Sequence, residues 1–279
     1  EGIAIKIGAA AVGFANKDGI RRVRCEFEDG GAVTPFDVEF DEVILALGRR
    51  PNVAGYGLEE LGIPLREDGS IDVNDHLQTA LPTVYACGDV AGPYQFTHTA
   101  SHQAWYATVN ALFGGLKRFA VDYRVIPWCT FTDPEVAHVG LNETEAREHG
   151  TDYEVTRYDI DELDRAIADG SNRGFVKVLT APGTDRILGA TIVSEHAGDL
   201  IAEFILAMKH HLGLNKILRT IHVYPTFSEA NKAAAANWRR AHTSPRILSL
   251  LKRYHRWRRE GRRRNDKPAA GAAESTDPR

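Results

Sequence analysis

Two short stretches carry residue types that can do chemistry. The first is TVYACGDVAGPYQFTHTA, residues 83–100. An apolar run delivers Gly88 and Asp89 to its end. Glycine lets a backbone approach a ligand closely, and a carboxylate accepts hydrogen bonds from sugar hydroxyls. At the carboxyl end of a buried strand, such groups lie where open α/β sheets bind ligands. Eight residues on, Thr97 is placed to open a helix as its N-cap. A helix N-terminus carries roughly half a positive charge and unpaired N–H groups. It favours an electron-rich ring that gains negative charge, as a reduced flavin does. His98 falls in the same turn, where its backbone matters more than its imidazole. Without that neighbourhood, Gly88-Asp89 reads as a common strand-to-loop turn and His98 as a solvated helix-start residue.

The second stretch is IHVYPTFSEANK, residues 221–232. Tyr224 stands directly before Pro225, and Glu229 follows five residues later. A histidine at the tyrosine position would be the better base. Its reference pKa is about 6.5 against about 10 for tyrosine, so a phenol at pH 7 donates a hydrogen bond but accepts a proton poorly. Glu229 has a competing role, because Thr226 and Glu229 stand at capping-box spacing. His222 is open to two readings, an alternative acid or base and a satisfied core or interface residue.

The elements that must position these residues read as strands first. IAIKIG (3–8) is a short apolar strand. RRVRCEFEDGGAVTPFDVEF (21–40) is two β-rich runs about a Glu-Asp-Gly-Gly turn, a hairpin pattern. DEVILALG (41–48) is a continuous apolar run, suited to a strand buried on both faces. Residues 53–95 are loop-rich around one more buried strand, TVYACG (83–88). A helix is predicted over Thr97–Phe113, ended by Gly114-Gly115. Beyond residue 125 strands and helices alternate. PWCTFTD is a strand, and NETEAREHG is a helix with Asn142 and Glu145 as a capping box. GFVKVLT and RILGATIVS are strands about a turn, AGDLIAEFILAMKHH is an amphipathic helix, and residues 226–241 form another. Residues from 271 on are low in complexity and expected to be disordered.

The 279 residues suffice for about two domains. With 43% apolar and 26% charged residues, the composition is that of an ordinary globular protein. No run approaches the ~18 apolar residues of a membrane span, and no signal-peptide pattern opens the chain. The first residue is Glu and the only methionine is Met208, so a fragment lacking its N-terminal part is expected. Cys25, Cys87 and Cys129 are far apart in sequence. They encode no local dithiol or metal site and suit a reducing cytoplasm. Charge is uneven. Residues 239–264 hold 11 Arg or Lys and one acid, while the rest holds 23 bases against 37 acids, a net of −14. Within the basic part, RILSLLKRYHRWRRE places Ile247, Leu250, Leu251, Tyr254 and Trp257 at helical spacing. Such a helix either lies on an anionic membrane surface or packs on the acidic body. Nucleic-acid binding is not expected, since the excess charge is confined to the tail.

Four motifs, DEVILALGRRPN, LQTALPTVYACGDVAGPYQFTHTA, PWCTFTDPEVAHVGL and YPTFSEANKAA, resemble those of the pyridine nucleotide–disulfide oxidoreductases and occur in that family's order. The resemblance covers about residues 1–240. It implies an α/β plus α+β architecture. Residues 1–52 would end an NAD(P)-binding, Rossmann-type domain, with Gly48 beside the nicotinamide cofactor. Residues 53–122 would be a returning FAD segment, with Gly88 and Asp89 at the ribitol and Phe96, Thr97 and His98 along the flavin. Residues 123–242 would form a homodimerisation domain, carrying Tyr224 and Glu229 into the partner's active site. Residues 243–279 would be a basic helix and tail.

The resemblance implies an FAD enzyme that oxidises NAD(P)H and passes electrons to a small-molecule or ionic acceptor. Tyrosine before the proline resembles mercuric reductases and soluble transhydrogenases, which makes mercuric ion or a related thiol-reactive or disulfide species the expected acceptor. The alternatives are a transhydrogenase, or a non-catalytic dimerisation and cofactor-binding module. The chain departs from the family in having neither a G-x-G-x-x-G fingerprint nor a cysteine pair.

Overall fold

The computed structural model describes residues 2–265, which divide into two compact units between Asn52 and Val53. The first unit is an antiparallel sheet of β1 (Ala9–Lys17), β2 (Ile20–Asp29) and β3 (Ala32–Glu39), in that order. The expected hairpin is β2–β3. Gly30 and Gly31 both take positive φ, 57° and 87°, as a two-residue turn matched to strand twist requires. β1 was not legible in AAAVGFANK, whose alanines have little strand preference.

Two expected strands do not form. IAIKIG and DEVILALG carry no strand, and Ile3, Ile5, Ile7, Ile44, Leu45 and Leu47 are exposed, Ile44 at 93%. A wholly apolar strand needs neighbours on both edges and cover on both faces. The unit supplies only a three-stranded meander.

In the second unit, residues 53–95 wind around a small cluster of Leu58, Ile63, Ile71, Ala86 and Ala91. TVYACG is likewise not a strand. Tyr85 makes one isolated bridge to Gln78, and the Ala86 N–H donates to the Leu77 carbonyl. The run ends in a single 3-10 turn at Gly88–Val90, followed by helix α1 (Thr97–Phe113). α1 has the predicted bounds but not the predicted cap. Phe96 occupies the N-cap position with no side-chain bond, and Thr97 is already helical.

The main core lies in a five-stranded antiparallel sheet of β4 (Pro127–Thr130), β5 (Glu135–Gly140), β6 (Glu154–Asp159), β7 (Phe175–Thr180) and β8 (Ile187–Ser194), ordered β4-β5-β8-β7-β6. α2 (Glu143–Glu148) starts with both bonds of the expected Asn142–Glu145 capping box. α3 (Asp164–Asp169) is a short helix that the sequence reading lacked. The expected single helix after β8 is two, α4 (Ala197–Leu200) and α5 (Ala202–Lys209). They are followed by α6 (Leu214–Arg219), α7 (Glu229–Ala241) and α8 (Pro245–Asn265).

Ala137, Val139, Val176, Val178, Ala190 and Ile192 share one sheet face with Phe204, Leu214, Ala230, Ala234 and Trp238 of the helices. Phe204 is fully buried; a residue of its size contributes about 1.5–3 kcal/mol on burial. α7 uses Ala at 230, 234 and 235, which lets its backbone lie close against β6 and β7. The 53–122 segment is tied to this sheet layer by Asp122. Bonds from Arg124 and then Lys209 of α5 hold its carboxyl well below the usual carboxylate range.

Gly174 enters β7 at φ +133°, and a Cβ there would sit 1.9 Å from the Val193 carbonyl oxygen. Gly174→Ala is therefore expected to lower stability by about 1–3 kcal/mol, read as a lower urea midpoint. An unchanged midpoint would show that the β7–β8 contact yields freely.

Candidate functional site

The Gly88-Asp89 turn is held from behind by α1. Gln103, fully buried on that helix, accepts the Gly88 N–H on Oε1. It donates through Nε2 to the Gly92 carbonyl at 2.9 Å and to the Tyr123 hydroxyl at 2.7 Å. Arg66 adds a bond from Nη1 to the Ala91 carbonyl at 3.1 Å. Gly88 takes φ +79°, and a Cβ there would touch Ala100 at 3.4 Å. The turn therefore packs directly on the first turns of α1. Asp89 in this turn is half-buried.

The start of α1 has unmet hydrogen-bonding capacity. No side chain caps it. Thr99, in its first turn, is buried, and its Oγ1 has no hydrogen-bond partner. A buried polar atom left so costs about 1–3 kcal/mol. Phe96 and His98 stack with ring centres 5.1 Å apart at 11°. The His98 Nε2 meets the Pro127 carbonyl at 2.9 Å, tying the helix start to β4. His98 also borders a hollow of about 280 Å3 with Trp128, Cys129, Glu135 and Asp199. Burial, then Glu135 and Asp199, push the Cys129 thiol up, so it is a poor thiolate.

Tyr224 and Glu229 sit elsewhere. They border a second hollow of about 290 Å3, with Tyr158, Asp164 and Lys232. Tyr224 is 66% exposed, beside exposed Ile221 and Val223. Its hydroxyl donates to Asp164 Oδ2 at 2.8 Å, and this bond together with the aspartate charge raises its pKa above the ordinary tyrosine value.

Glu229 forms half of the expected capping box. Its Oε2 accepts the Thr226 N–H at 3.3 Å, while Thr226 Oγ1 turns away and donates to the Val223 carbonyl. α7 accordingly begins at Glu229, later than the sequence pattern implies. His222 has a 6% exposed side chain, with Nε2 at 3.0 Å from Glu203 and Nδ1 at 3.1 Å from the Thr220 carbonyl. It is a satisfied, packed histidine.

The structure thus gathers Gly88, Asp89, Phe96, Thr97 and His98 at the start of α1 and sets Tyr224 and Glu229 at a separate hollow. Gly48 lies in the other unit, in an exposed loop at φ +102°. Gln103, Thr99 and Asp164 were missed. Gln103 and Asp164 owe their roles to tertiary contacts that carry no local pattern. Among the described residues, no group of three or more His, Cys, Asp or Glu could hold a metal ion.

Comparison with known proteins places the chain. The pyridine nucleotide-disulphide oxidoreductase family matches at residues 1–104, and that family's dimerisation domain at 126–235. The chain belongs to this family of FAD- and NAD(P)-dependent enzymes. Among curated relatives, dihydrolipoyl dehydrogenase of Thermus scotoductus is 37% identical over 235 residues, 84% of this chain and 50% of that protein. The mitochondrial enzyme of Dictyostelium discoideum is 39% identical over 198 residues, 71% of this chain and 40% of that protein. Two solved structures are each 25% identical with a TM-score of 0.71. They are the HOCl-induced flavoprotein disulfide reductase RclA from Escherichia coli as a Cu(II) complex (81% of this chain, 49% of that one) and LpdA from Mycobacterium tuberculosis (82% and 48%). The chain spans 40–50% of the length of these curated relatives. They are lipoamide dehydrogenases, and the mercuric-reductase likeness expected from Tyr224 finds no support in them.

The geometry fits a flavin. A half-buried carboxylate, a glycine turn without a Cβ and an uncapped helix start lie along this end of α1.

The Tyr224–Asp164 bond makes a pH prediction. Its phenol pKa is raised in the folded state, so its contribution to stability is complete below the unfolded value of about 10 and is lost as pH rises through the folded value. Asp164→Asn should return the Tyr224 titration toward the ordinary value. Ultraviolet difference titration against Tyr224→Phe reads this, and an unmoved midpoint would place the cause elsewhere.

Proposed function

We propose that the chain is the C-terminal part of a homodimeric FAD-dependent oxidoreductase that receives hydride from NAD(P)H and passes electrons to an acceptor. The observation that carries this reading is the Gly88-Asp89 turn locked by Gln103 against the uncapped start of α1. Asp89 would accept hydrogen bonds from the ribitol. The first-turn N–H groups of α1 would favour negative charge on the ring. FAD, when bound, supplies the two-electron relay. Gly48 would adjoin the nicotinamide cofactor, in the end of an NAD(P) domain formed by residues 1–52. Residues 53–122 would be the returning FAD segment, and residues 123–242 the dimerisation domain. The span of half the relatives' length supports reading the chain as one portion of such an enzyme.

The acceptor in this reading is a thiol-reactive metal ion or a disulfide-type species. The curated relatives act on dihydrolipoyl groups, and the RclA structure is a Cu(II) complex of a disulfide reductase. Tyr224 favours an acceptor that needs no histidine-type proton relay, because its phenol is tied to Asp164 and is a poor base. Cys25, Cys87 and Cys129 are free, so a redox-active pair would come from the part of the enzyme that this chain does not span. Tyr224 and Glu229 would act across the dimer interface, Tyr224 as a hydrogen-bond donor or a soft wall beside the acceptor.

Two measurements on the whole enzyme test this. Asp89→Ala should weaken FAD retention by roughly 10- to 150-fold, the loss of one charge-assisted hydrogen bond; undiminished flavin after dialysis would remove the ribitol contact. Tyr224→Phe should slow the oxidative half-reaction by roughly 5- to 150-fold and leave flavin reduction by NAD(P)H nearly unchanged in stopped flow. If both half-reactions keep their rates with every acceptor, Tyr224 is interface packing.

A further inference from the structure

α8 is the longest helix among the described residues, and its residues 245–259 are all exposed. Ile247, Leu248, Leu250, Leu251, Tyr254 and Trp257 are all exposed, Trp257 at 69%. At 100° per residue, Ile247, Leu250, Leu251, Tyr254 and Trp257 fall within an arc about 120° wide. Lys252, Arg253, Arg256 and Arg259 lie on the remaining circumference. The helix sequence holds nine Arg or Lys and one acid. Over residues 245–259 neither face is covered, so the alternative of packing on the acidic body is not what forms there.

The composition of the two faces selects the occupant. Tyr254 and Trp257 adjoin near the middle of the helix, ring centres 6.2 Å apart. Such amphipathic rings sit at lipid headgroup level. Arg258 falls on the apolar arc, and its guanidinium lies 5.8 Å from the Tyr254 ring centre. That arrangement suits a stem lying along the apolar surface with the charged head reaching up to the phosphates. The helix is not apolar enough to cross a bilayer. A second α8 would bring two strongly basic helices together without counter-charge. A nucleic acid would use the arginines and leave the apolar arc in water.

We propose that α8 docks in the plane of an anionic lipid bilayer, its Ile247–Trp257 arc in the headgroup–acyl boundary and its basic face on lipid phosphates. The proposal is independent of the redox reading and makes the protein a peripheral membrane protein through α8.

The test is co-sedimentation of the whole 279-residue chain with vesicles of phosphatidylcholine alone or mixed with phosphatidylglycerol. Binding is expected to the mixed vesicles only and to fall with salt. Lys252→Ala, Arg253→Ala and Arg256→Ala together should weaken it on the order of 100-fold, at ~1 kcal/mol per basic residue. Leu250→Ser with Trp257→Ser should weaken it comparably. The blue shift in tryptophan fluorescence on binding should persist in Trp105→Phe and vanish in Trp257→Phe. An unchanged urea midpoint for each variant confirms that the body is intact.

Several results overturn the proposal. One is equal binding to neutral vesicles, or none to either. A second is binding that the Leu250/Trp257 variant leaves untouched, since charge alone would then account for it. A third is an RNA oligonucleotide bound through the same arginines while mixed vesicles are not. A fourth is a change of sedimentation coefficient in the Leu250/Trp257 variant with no change in vesicle binding, which would make the arc an interface between copies.

Discussion

One buried carboxamide holds the candidate flavin end together. Gln103 offers an acceptor and two donors, and the structure uses all three, on Gly88, Gly92 and Tyr123. No neighbouring strand supports TVYACG, so the turn that presents Asp89 depends on this side chain for its height above α1. A charged replacement could not meet two acceptors and a backbone N–H at once. Asn110 works in the same way one level down. It donates to the His76 and Phe119 carbonyls and accepts the Phe119 N–H. The irregular 53–122 segment thus gets its rigidity from side-chain amides of α1, where a sheet ladder would otherwise provide it.

The second cluster is organised by the sheet layer. β6 leads into α3, which places Asp164 under Tyr224, and α7 starts beside them with Glu229 folded back on Thr226. His222, two residues before Tyr224, turns the other way and is absorbed by Glu203, which also accepts from Asn231. The segment therefore sorts its polar groups. The histidine and glutamates are satisfied inside the chain, while Ile221, Val223 and the ring of Tyr224 stand outward. An outward apolar strip on a matched dimerisation domain is what a partner chain would cover.

How much of this was legible depends on the range of the interactions. α1, the Asn142–Glu145 cap and the Gly30-Gly31 hairpin were readable, because each is decided by residues within a few positions of one another. DEVILALG and TVYACG were misread as strands, because an apolar run states that it wants burial but does not supply the neighbours. α4 and α5 broke one amphipathic pattern in two. The residues grouped at the start of α1 could be named from spacing and resemblance. The groups that brace them could not, since Gln103 acts on a turn 15 residues away and Asp164 on a phenol 60 residues away.

The bared runs at residues 3–7 and 43–47 carry a further consequence. Each is a stretch of alternating or continuous apolar residues that joins no strand. Such segments are templates for β-pairing with any chain that offers a free edge. The 52-residue unit thus holds more apolar surface than its own three strands can cover, and the neighbours these runs call for are further strands on both edges and cover on both faces.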